Sequence, residues 1–348
     1  MKKSFLYPFL YLALLTAQFA GAQTKINVVT TLSTYADIVK AIGGDKVQVK
    51  HIVAGNQDAH FVKPKPSFAL WLRKADLFVS TGMDLELWAP MLVDKSGNPK
   101  IRSGQIGYVS VSDGIPKLEV PVSADRSQGD VHIFGNPHLH TSPINAITIA
   151  ENITIGLSKI SPANSEFFKQ NFEHFKREIE ERLYGKKLVG ILGGEILNKL
   201  TLAHQLIPFL QSKSLKGRKL INFLGGWMKA MLPLRGKKII AYHKNWAYFE
   251  DIFGIEIVDY IEPKPGIPPS PKHVEDVINT MRKYDVQVVM AANFFDKNKV
   301  RDVADKVGGK AVIVPFSVGG NDQVHNYFEL VDYWVSHLRA AFGLKPEL

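Results

Sequence analysis

Three histidines stand in turns beside predicted strands or helices, where side chains that bind ligands are often presented. His60 lies in a loop after a strand-like run at residues 47–54, and His243 directly follows a predicted strand at residues 238–242. His138 lies in the turn before a predicted helix. Neutral imidazole is a common zinc ligand, and three imidazoles leave one tetrahedral position for a carboxylate or a water molecule. These positions therefore predict a zinc site.

Prolines restrict the backbone next to two of these histidines. Pro64 and Pro66 follow His60 and favour a stiff, extended segment, because proline fixes its own φ and disfavours helix at the residue before it. Pro137 comes just before His138. A stiff turn holds an imidazole in one place, which suits a metal ligand.

The fourth ligand is left open by the sequence, with Asp322, His140, His325 and water as the options. His140 lies two residues after His138 and could replace it. Asp322 and His325 lie in the loop that leaves the last predicted strand. His132 could belong to a metal-collecting loop, although one histidine hardly makes such a loop.

The signature motifs of several enzyme classes are missing from the sequence. It has no His-Glu-x-x-His zinc-protease motif, no Gly-x-Ser-x-Gly nucleophile elbow and no phosphate-binding Gly-x-x-x-x-Gly-Lys-Ser/Thr loop. A zinc ion with an open position could activate water, so a zinc hydrolase is an alternative. Because no residue stands out as a general base, we expect a binding protein and no enzyme.

The N-terminus has the three parts of a secretory signal peptide, namely Lys2 and Lys3, an apolar run at residues 5–19, and small residues ending at Ala22. We expect residues 1–22 to be cleaved near Ala22 and the chain to be periplasmic; an uncleaved membrane anchor is the alternative. The chain has no cysteine, so an exported protein would lack disulfides and a metal site must use histidines and carboxylates.

The net charge of +10 comes from scattered basic residues. Without an arginine-rich run or a basic patch interleaved with aromatic residues, nucleic acid is not an expected partner. A generally basic surface that lies near an anionic membrane is the alternative interpretation of this charge.

Strands and helices alternate in two parts of the chain, which predicts an α/β protein with two lobes and mostly parallel central sheets. The predicted lobes are residues 23–160 and 227–348, and residues 161–226 form a linking helix plus a helical insertion. A charged amphipathic helix at residues 164–184 would be about 30 Å long and could cross between the lobes as a strut. A plain surface helix is the alternative. The purpose of the insertion, residues 188–224, is not evident from the sequence.

Four stretches, in this order, resemble motifs of the periplasmic solute-binding proteins of zinc and manganese ABC importers. They are DAHFVKPKP at residues 58–66, NPHLHTSP at 136–143, AYHKNWAYF at 241–249 and EPKPGIPPS at 262–270. The resemblance covers nearly all of the chain after the signal peptide.

This resemblance implies two α/β lobes bridged by one long rigid helix, with a single metal in the cleft between them. It places His60, His138 and His243 at ligand positions, and it implies a monomer that hands its metal to ABC permease subunits. Three imidazoles favour zinc over manganese, which prefers more oxygen ligands. A manganese-binding counterpart and a surface adhesin remain alternatives to a zinc carrier.

The chain departs from the family pattern at three places. Asn136 replaces the usual acid before Pro-His, which would weaken the orientation of His138. Ser317 stands where an acidic fourth ligand is often found, so that Asp322 or water must complete the site. The third departure is the insertion at residues 188–224.

Overall fold

The computed structural model describes residues 25–121, 132–264 and 266–345, and the predicted signal peptide lies outside them. Its larger elements alternate strand and helix in each lobe. In the first lobe they are β1 (Ile26–Leu32), α1 (Ser33–Gly43), β2 (Val47–Val53), α2 (Pro66–Arg73), β3 (Leu77–Ser80), α3 (Ala89–Ser96), β4 (Tyr108–Ser110) and α4 (Pro143–Ile160).

The middle of the chain is helical, and the second α/β series follows it. The middle elements are α5 (Ser165–Tyr184), α6 (Lys186–Leu192), α7 (Gly194–Leu202), α8 (Leu206–Ser212), β5 (Ser214–Leu215), β6 (Arg218–Lys219) and α9 (Gly226–Met231). The second series is β7 (Lys238–Ala241), α10 (Ala247–Phe253), β8 (Glu256–Tyr260), α11 (Pro271–Lys283), β9 (Val288–Ala292), α12 (Lys297–Asp305), β10 (Lys310–Val314) and α13 (Tyr327–Ala341).

Each lobe is built on a four-stranded parallel sheet. The strand order is β2-β1-β3-β4 in the first lobe and β10-β9-β7-β8 in the second. Counted from β7, the second order is the same as the first. The central strands β3 and β9 are buried along their whole length, as expected when helices cover both faces of a parallel sheet. The predicted α/β class with two lobes is confirmed.

The long helix α5 contacts both lobes. Near its start, Asn171 Nδ2 donates a hydrogen bond to the carbonyl of Ile42 at the end of α1, at 2.8 Å. Near its end, the Arg182 guanidinium pairs with Asp332 on α13, at 3.1 Å. A single cluster of buried apolar side chains also runs through both lobes. The predicted long helix is therefore present and ties the lobes together. None of the helices in the described part of the chain is both long enough and apolar enough to span a bilayer.

The two lobes also meet where α13 begins, beside α1. The Asp37 carboxylate on α1 accepts a hydrogen bond from the backbone N–H of Tyr327, the first residue of α13, at 2.8 Å. Burial raises the pKa of Asp37 to about 6, and it outweighs the opposing effects of that hydrogen bond and of Lys40. The charged carboxylate is thus unfavourable in the folded state.

We expect Asp37→Asn to stabilise the protein above pH 6. The folded-state pKa lies above the ordinary value of 3.8, so the favourable contribution of protonation is complete below pH 4 and is lost as the pH rises through about 6. Asparagine keeps an acceptor for Tyr327 without the charge. In urea unfolding, the free energy of unfolding of the variant relative to that of the wild type should rise by about 2 kcal/mol between pH 4.5 and pH 8. A difference that does not change with pH would contradict this account.

Candidate metal centre

Three histidine side chains from both lobes converge at the inter-lobe cleft. His60, His138 and His243 each offer a ring nitrogen, and these nitrogens all lie within 4.8 Å of one another. The ring centroids form a nearly equilateral triangle with sides of 5.4, 5.5 and 5.6 Å. The structure thus brings together the three histidines that the sequence singled out, at a separation at which they could share one ion.

His60 is held by the residue that starts its own turn. It lies in a short 3₁₀ turn, Ala59–Phe61, after β2. Asp58 accepts hydrogen bonds from the His60 backbone N–H at 3.0 Å and from its ring Nδ1 at 2.6 Å. Because a carboxylate can only accept, Nδ1 carries the proton and Nε2 keeps its lone pair. The indole of Trp88 donates to the carbonyl of Ala59 at 2.7 Å and anchors the turn.

His138 is held in the same way, by an amide. Asn136 Oδ1 accepts from the His138 backbone N–H at 3.0 Å and from ring Nδ1 at 2.9 Å. The Asn136 amide group donates to Glu119 and to the carbonyl of Lys244 in the second lobe, both at 2.8 Å. The expectation that Asn136 weakens the orientation of His138 is not supported, because this amide orients the ring and also links the lobes.

We expect Asn136→Asp to weaken metal binding by about tenfold, although it restores the acid of the family pattern. Aspartate has no N–H to donate, so its second oxygen would face the Glu119 carboxylate and the Lys244 carbonyl, both acceptors. Competition with a chromophoric chelator measures the affinity.

The double variant Asn136→Asp with Glu119→Gln is the matched control, because the glutamine amide can donate to the new carboxylate. It should recover most of the lost affinity. Tighter metal binding by Asn136→Asp alone would show that the amide has no advantage at this position.

His243 comes from the second lobe, two residues after β7. Its ring Nδ1 donates to Glu262, whose other oxygen accepts the backbone N–H of Gly266 at 3.0 Å. Phe295 stacks on Tyr242 with ring centroids 4.4 Å apart and lies 5.8 Å from the His243 ring. A carboxylate thus sets the tautomer of His243 as Asp58 does for His60.

The remaining ring nitrogens are chemically suited to a metal. Nε2 of His138 and Nε2 of His243 are buried and have no hydrogen-bond partner among the described residues. Such orphaned polar atoms are costly unless something binds them. Burial, and then the neighbouring imidazoles of His60 and His243, hold the pKa of His138 well below its ordinary value. His138 is therefore neutral at physiological pH, which is the form that binds a metal.

A fourth imidazole lies against this triangle. His132 Nε2 is 3.0 Å from His60 Nε2, and the two rings are 5.1 Å apart. Burial and the nearby imidazoles lower the pKa of His132 to about 3, so this ring is neutral as well. The sequence alone does not single out His132, because one histidine hardly makes a metal-collecting loop. Its position six residues before His138 was the only signal available.

The three residues that the sequence offers as a fourth ligand do not join the cluster. His140 is buried, donates through Nε2 to the carbonyl of Phe316 at 3.0 Å and packs edge-on against that ring. Asp322 and His325 are exposed and lie outside the group of converging ligands found among the described residues. Ser317 is buried but supplies no carboxylate.

Comparison with known proteins identifies a family. The family model described as "Zinc-uptake complex component A periplasmic" matches residues 28–183 and 220–341. The matched ranges leave out residues 184–219, from the last residue of α5 to the end of β6.

Several curated proteins are similar in sequence. The manganese ABC transporter substrate-binding lipoprotein PsaA of Streptococcus pneumoniae is 30% identical over 161 residues, which are 45% of this chain and 49% of that protein. The chain spans about half the length of this and the other streptococcal relatives it matches. The iron-binding protein YfeA of Yersinia pestis is 22% identical over 326 residues, 92% of this chain and 87% of that protein.

Solved structures agree on the fold. A crystal structure of ZnuA superposes with a TM-score of 0.67 at 19% identity and covers 91% of this chain and 99% of that one. A manganese-bound mutant of a periplasmic metal-binding protein from Candidatus Liberibacter asiaticus superposes with a TM-score of 0.64 at 19% identity. The match covers 90% of this chain and 98% of that one.

Proposed function

The chain belongs to the zinc-uptake complex component A family of metal ABC transporter substrate-binding proteins, and we propose that it binds one zinc ion extracytoplasmically and delivers it to an ABC permease. In this proposal, His60, His138 and His243 are the ligands and no residue is catalytic. Zinc is cargo here, held long enough to be handed on.

The observation that carries this proposal is the convergence of three oriented imidazoles from two lobes. The ring Nδ1 atoms of all three histidines donate to Asp58, Asn136 or Glu262, so each Nε2 keeps its lone pair. Partners of this kind fix the ring orientation and raise ligand basicity in metal sites. Nε2 of His138 and Nε2 of His243 are buried without a hydrogen-bond partner among the described residues. In a merely structural histidine cluster, His138 and His243 would be expected to use both ring nitrogens within the protein.

His132 is our proposed fourth ligand. Its Nε2 already touches the nitrogen of His60 that would face the metal. On metal binding this hydrogen bond would be exchanged for coordination, and His132 would supply the fourth nitrogen of the site. This replaces the earlier options of Asp322, His140 and His325, with water as the alternative if His132 moves away.

Zinc is favoured over manganese by the donor set. Imidazole nitrogen suits zinc, whereas manganese prefers carboxylate, carbonyl and water oxygens. The two carboxylates that contact the triangle, Asp58 and Glu262, both accept ring protons. The relatives and neighbours are named for zinc, manganese or iron, so the choice rests on the ligands of this chain.

A direct titration tests which metal ion the protein binds and in what ratio. Residues 23–348, freed of metal by chelation, should take up one zinc per chain, and manganese should bind at least about 100-fold more weakly. Manganese binding as tight as zinc would make this the manganese counterpart. Failure to bind either ion would overturn the proposal altogether.

Delivery to a permease has its own test. A strain that lacks this gene should grow poorly when zinc is chelated, and the wild-type gene should restore growth. Restoration by a His243→Ala gene to the same extent would show that the growth function does not pass through this site.

The alternative functions have less support. A zinc hydrolase needs a carboxylate free to act as general base, and the carboxylates that contact the triangle each hold a ring nitrogen. An adhesin would work independently of the histidines. Cell binding that survives loss of all three ligands would favour that role.

A further inference from the structure

Residues 184–219 concentrate the positive charge of the chain. They contain seven Lys or Arg residues and one acidic residue, Glu195, whereas the rest of the chain has 36 Lys or Arg and 32 Asp or Glu. Six of the ten net positive charges therefore lie in about a tenth of the sequence. We call this segment, which the family model leaves unmatched, the basic insertion.

The inner side of the basic insertion is fixed to α5. Tyr184 OH donates to Asn198 on α7 at 2.9 Å, and the Asn198 amide donates to Glu180 on α5 at 3.1 Å. Four leucines complete this contact as buried core residues: Leu188, Leu197, Leu206 and Leu210. The buried leucines and these hydrogen bonds hold the insertion against the rest of the protein. The exposed Lys and Arg residues on its outer side take no part in that packing.

The outer side ends in a small exposed hairpin. β5 and β6 pair antiparallel, and every residue from 211 to 219 is exposed. Lys213, Lys216, Arg218 and Lys219 supply four cations within seven residues. The turn residues Lys216 and Gly217 have φ values of 49° and 76°. Hairpin turns with two positive φ values favour Asn-Gly, so a lysine here is held at some conformational cost.

The hairpin cations form no ion pairs within the described part of the chain. Two lysines elsewhere in the insertion have acidic partners. Lys186 Nζ lies 3.9 Å from a carboxylate oxygen of Glu181, and Lys199 Nζ lies 2.7 Å from one of Glu195. The four hairpin cations have no ion pair with any described residue. Lys187 and Arg218 instead lie about 5 Å from the ring of Phe223, which gathers two positive charges at the base of the hairpin. Leu215, beside the turn, is 39% exposed.

We propose that the hairpin of the basic insertion docks on the anionic phospholipid headgroups of the membrane that carries the permease. A cluster of exposed cations without acidic partners, with an exposed leucine at its tip, complements a surface of lipid phosphates and shallow acyl chains. Docking would keep the carrier near its permease. The site is separate from the metal centre, and only the presence of a membrane rests on the proposed function.

The test is co-sedimentation of residues 23–348 with vesicles of phosphatidylcholine, with or without phosphatidylglycerol. The wild type should bind only vesicles that contain phosphatidylglycerol, and binding should fall at least tenfold between about 0.05 and 0.5 M salt. The triple variant Lys213→Gln, Lys216→Gln, Lys219→Gln should lose at least tenfold in affinity. It keeps Arg218 on Phe223, and its zinc affinity should be unchanged, which separates this proposal from the metal site.

A matched control removes three exposed cations elsewhere, with Lys297→Gln, Arg301→Gln and Lys306→Gln. It should change vesicle binding less than twofold. Equal loss in both triple variants would show that net charge alone matters and would overturn the hairpin as the site. No binding to phosphatidylglycerol vesicles, or binding only to a soluble polyanion such as polyglutamate, would overturn the membrane as the partner.

Discussion

His243→Ala is expected to lower zinc affinity at least about 100-fold while the protein stays folded. Loss of the groups that merely orient a ligand already costs roughly 10- to 100-fold in metal affinity, so loss of the ligand itself should cost more. The fold should survive because the backbone of Gly266 still donates to Glu262, and the apolar core beneath stays complete. Competition titration measures the affinity, and circular dichroism with thermal unfolding checks the fold.

Two other histidines give the scale for this result. His51, exposed on β2, is the matched control, and His51→Ala should leave zinc affinity within twofold. His132→Ala should cause an intermediate loss of about tenfold, because water can take a fourth position but cannot replace a ligand of the triangle. If His243→Ala binds zinc like the wild type, the two lobes do not share the metal.

Gly55→Ala is expected to destabilise the protein by about 2–3 kcal/mol and to weaken zinc binding as well. A Cβ at Gly55 would lie 2.3 Å from the carbonyl oxygen of Val318 and 2.4 Å from the nitrogen of Gly320. That second-lobe loop cannot easily retreat, since Val318 exchanges hydrogen bonds with the side chains of Ser33 and Thr34 at 2.7 and 3.1 Å. The clash would also displace the chain that leads to His60.

Gly190→Ala is the matched control for this substitution. Gly190 lies within α6 and has no atom within 4 Å of an added Cβ, so alanine should raise stability by about 0.5–1 kcal/mol. Urea unfolding of the two variants should therefore move in opposite directions. A neutral Gly55→Ala would mean that the lobes can separate at this contact without cost.

The fold class followed from local patterns in the sequence. Short apolar runs alternating with helical spacing were enough to indicate parallel sheets, because strands buried on both faces lose the alternation of half-exposed ones. The strand orders were not predictable, since they depend on pairing between segments far apart in the chain. The continuous apolar core between the lobes could not be predicted either, since it also depends on contacts between distant segments.

The site was predictable in part for the same reason. His60 and His243 follow strands and His138 follows a proline, so their positions in turns could be read locally. The role of Asn136 could not be predicted, because it depends on two hydrogen bonds that the side chain donates to residues 17 and 108 positions away. His132 was undervalued because only the folded loop brings it to His60, 72 residues earlier. That these histidines bind a metal is still a prediction.

The most direct test of the central claim is a crystal structure of the zinc-loaded protein with anomalous data collected at the zinc edge. We predict one anomalous peak per chain, about 2.0–2.1 Å from the Nε2 atoms of His60, His138 and His243. A peak bound by residues of one lobe only, or a main peak away from this triangle, would contradict the account.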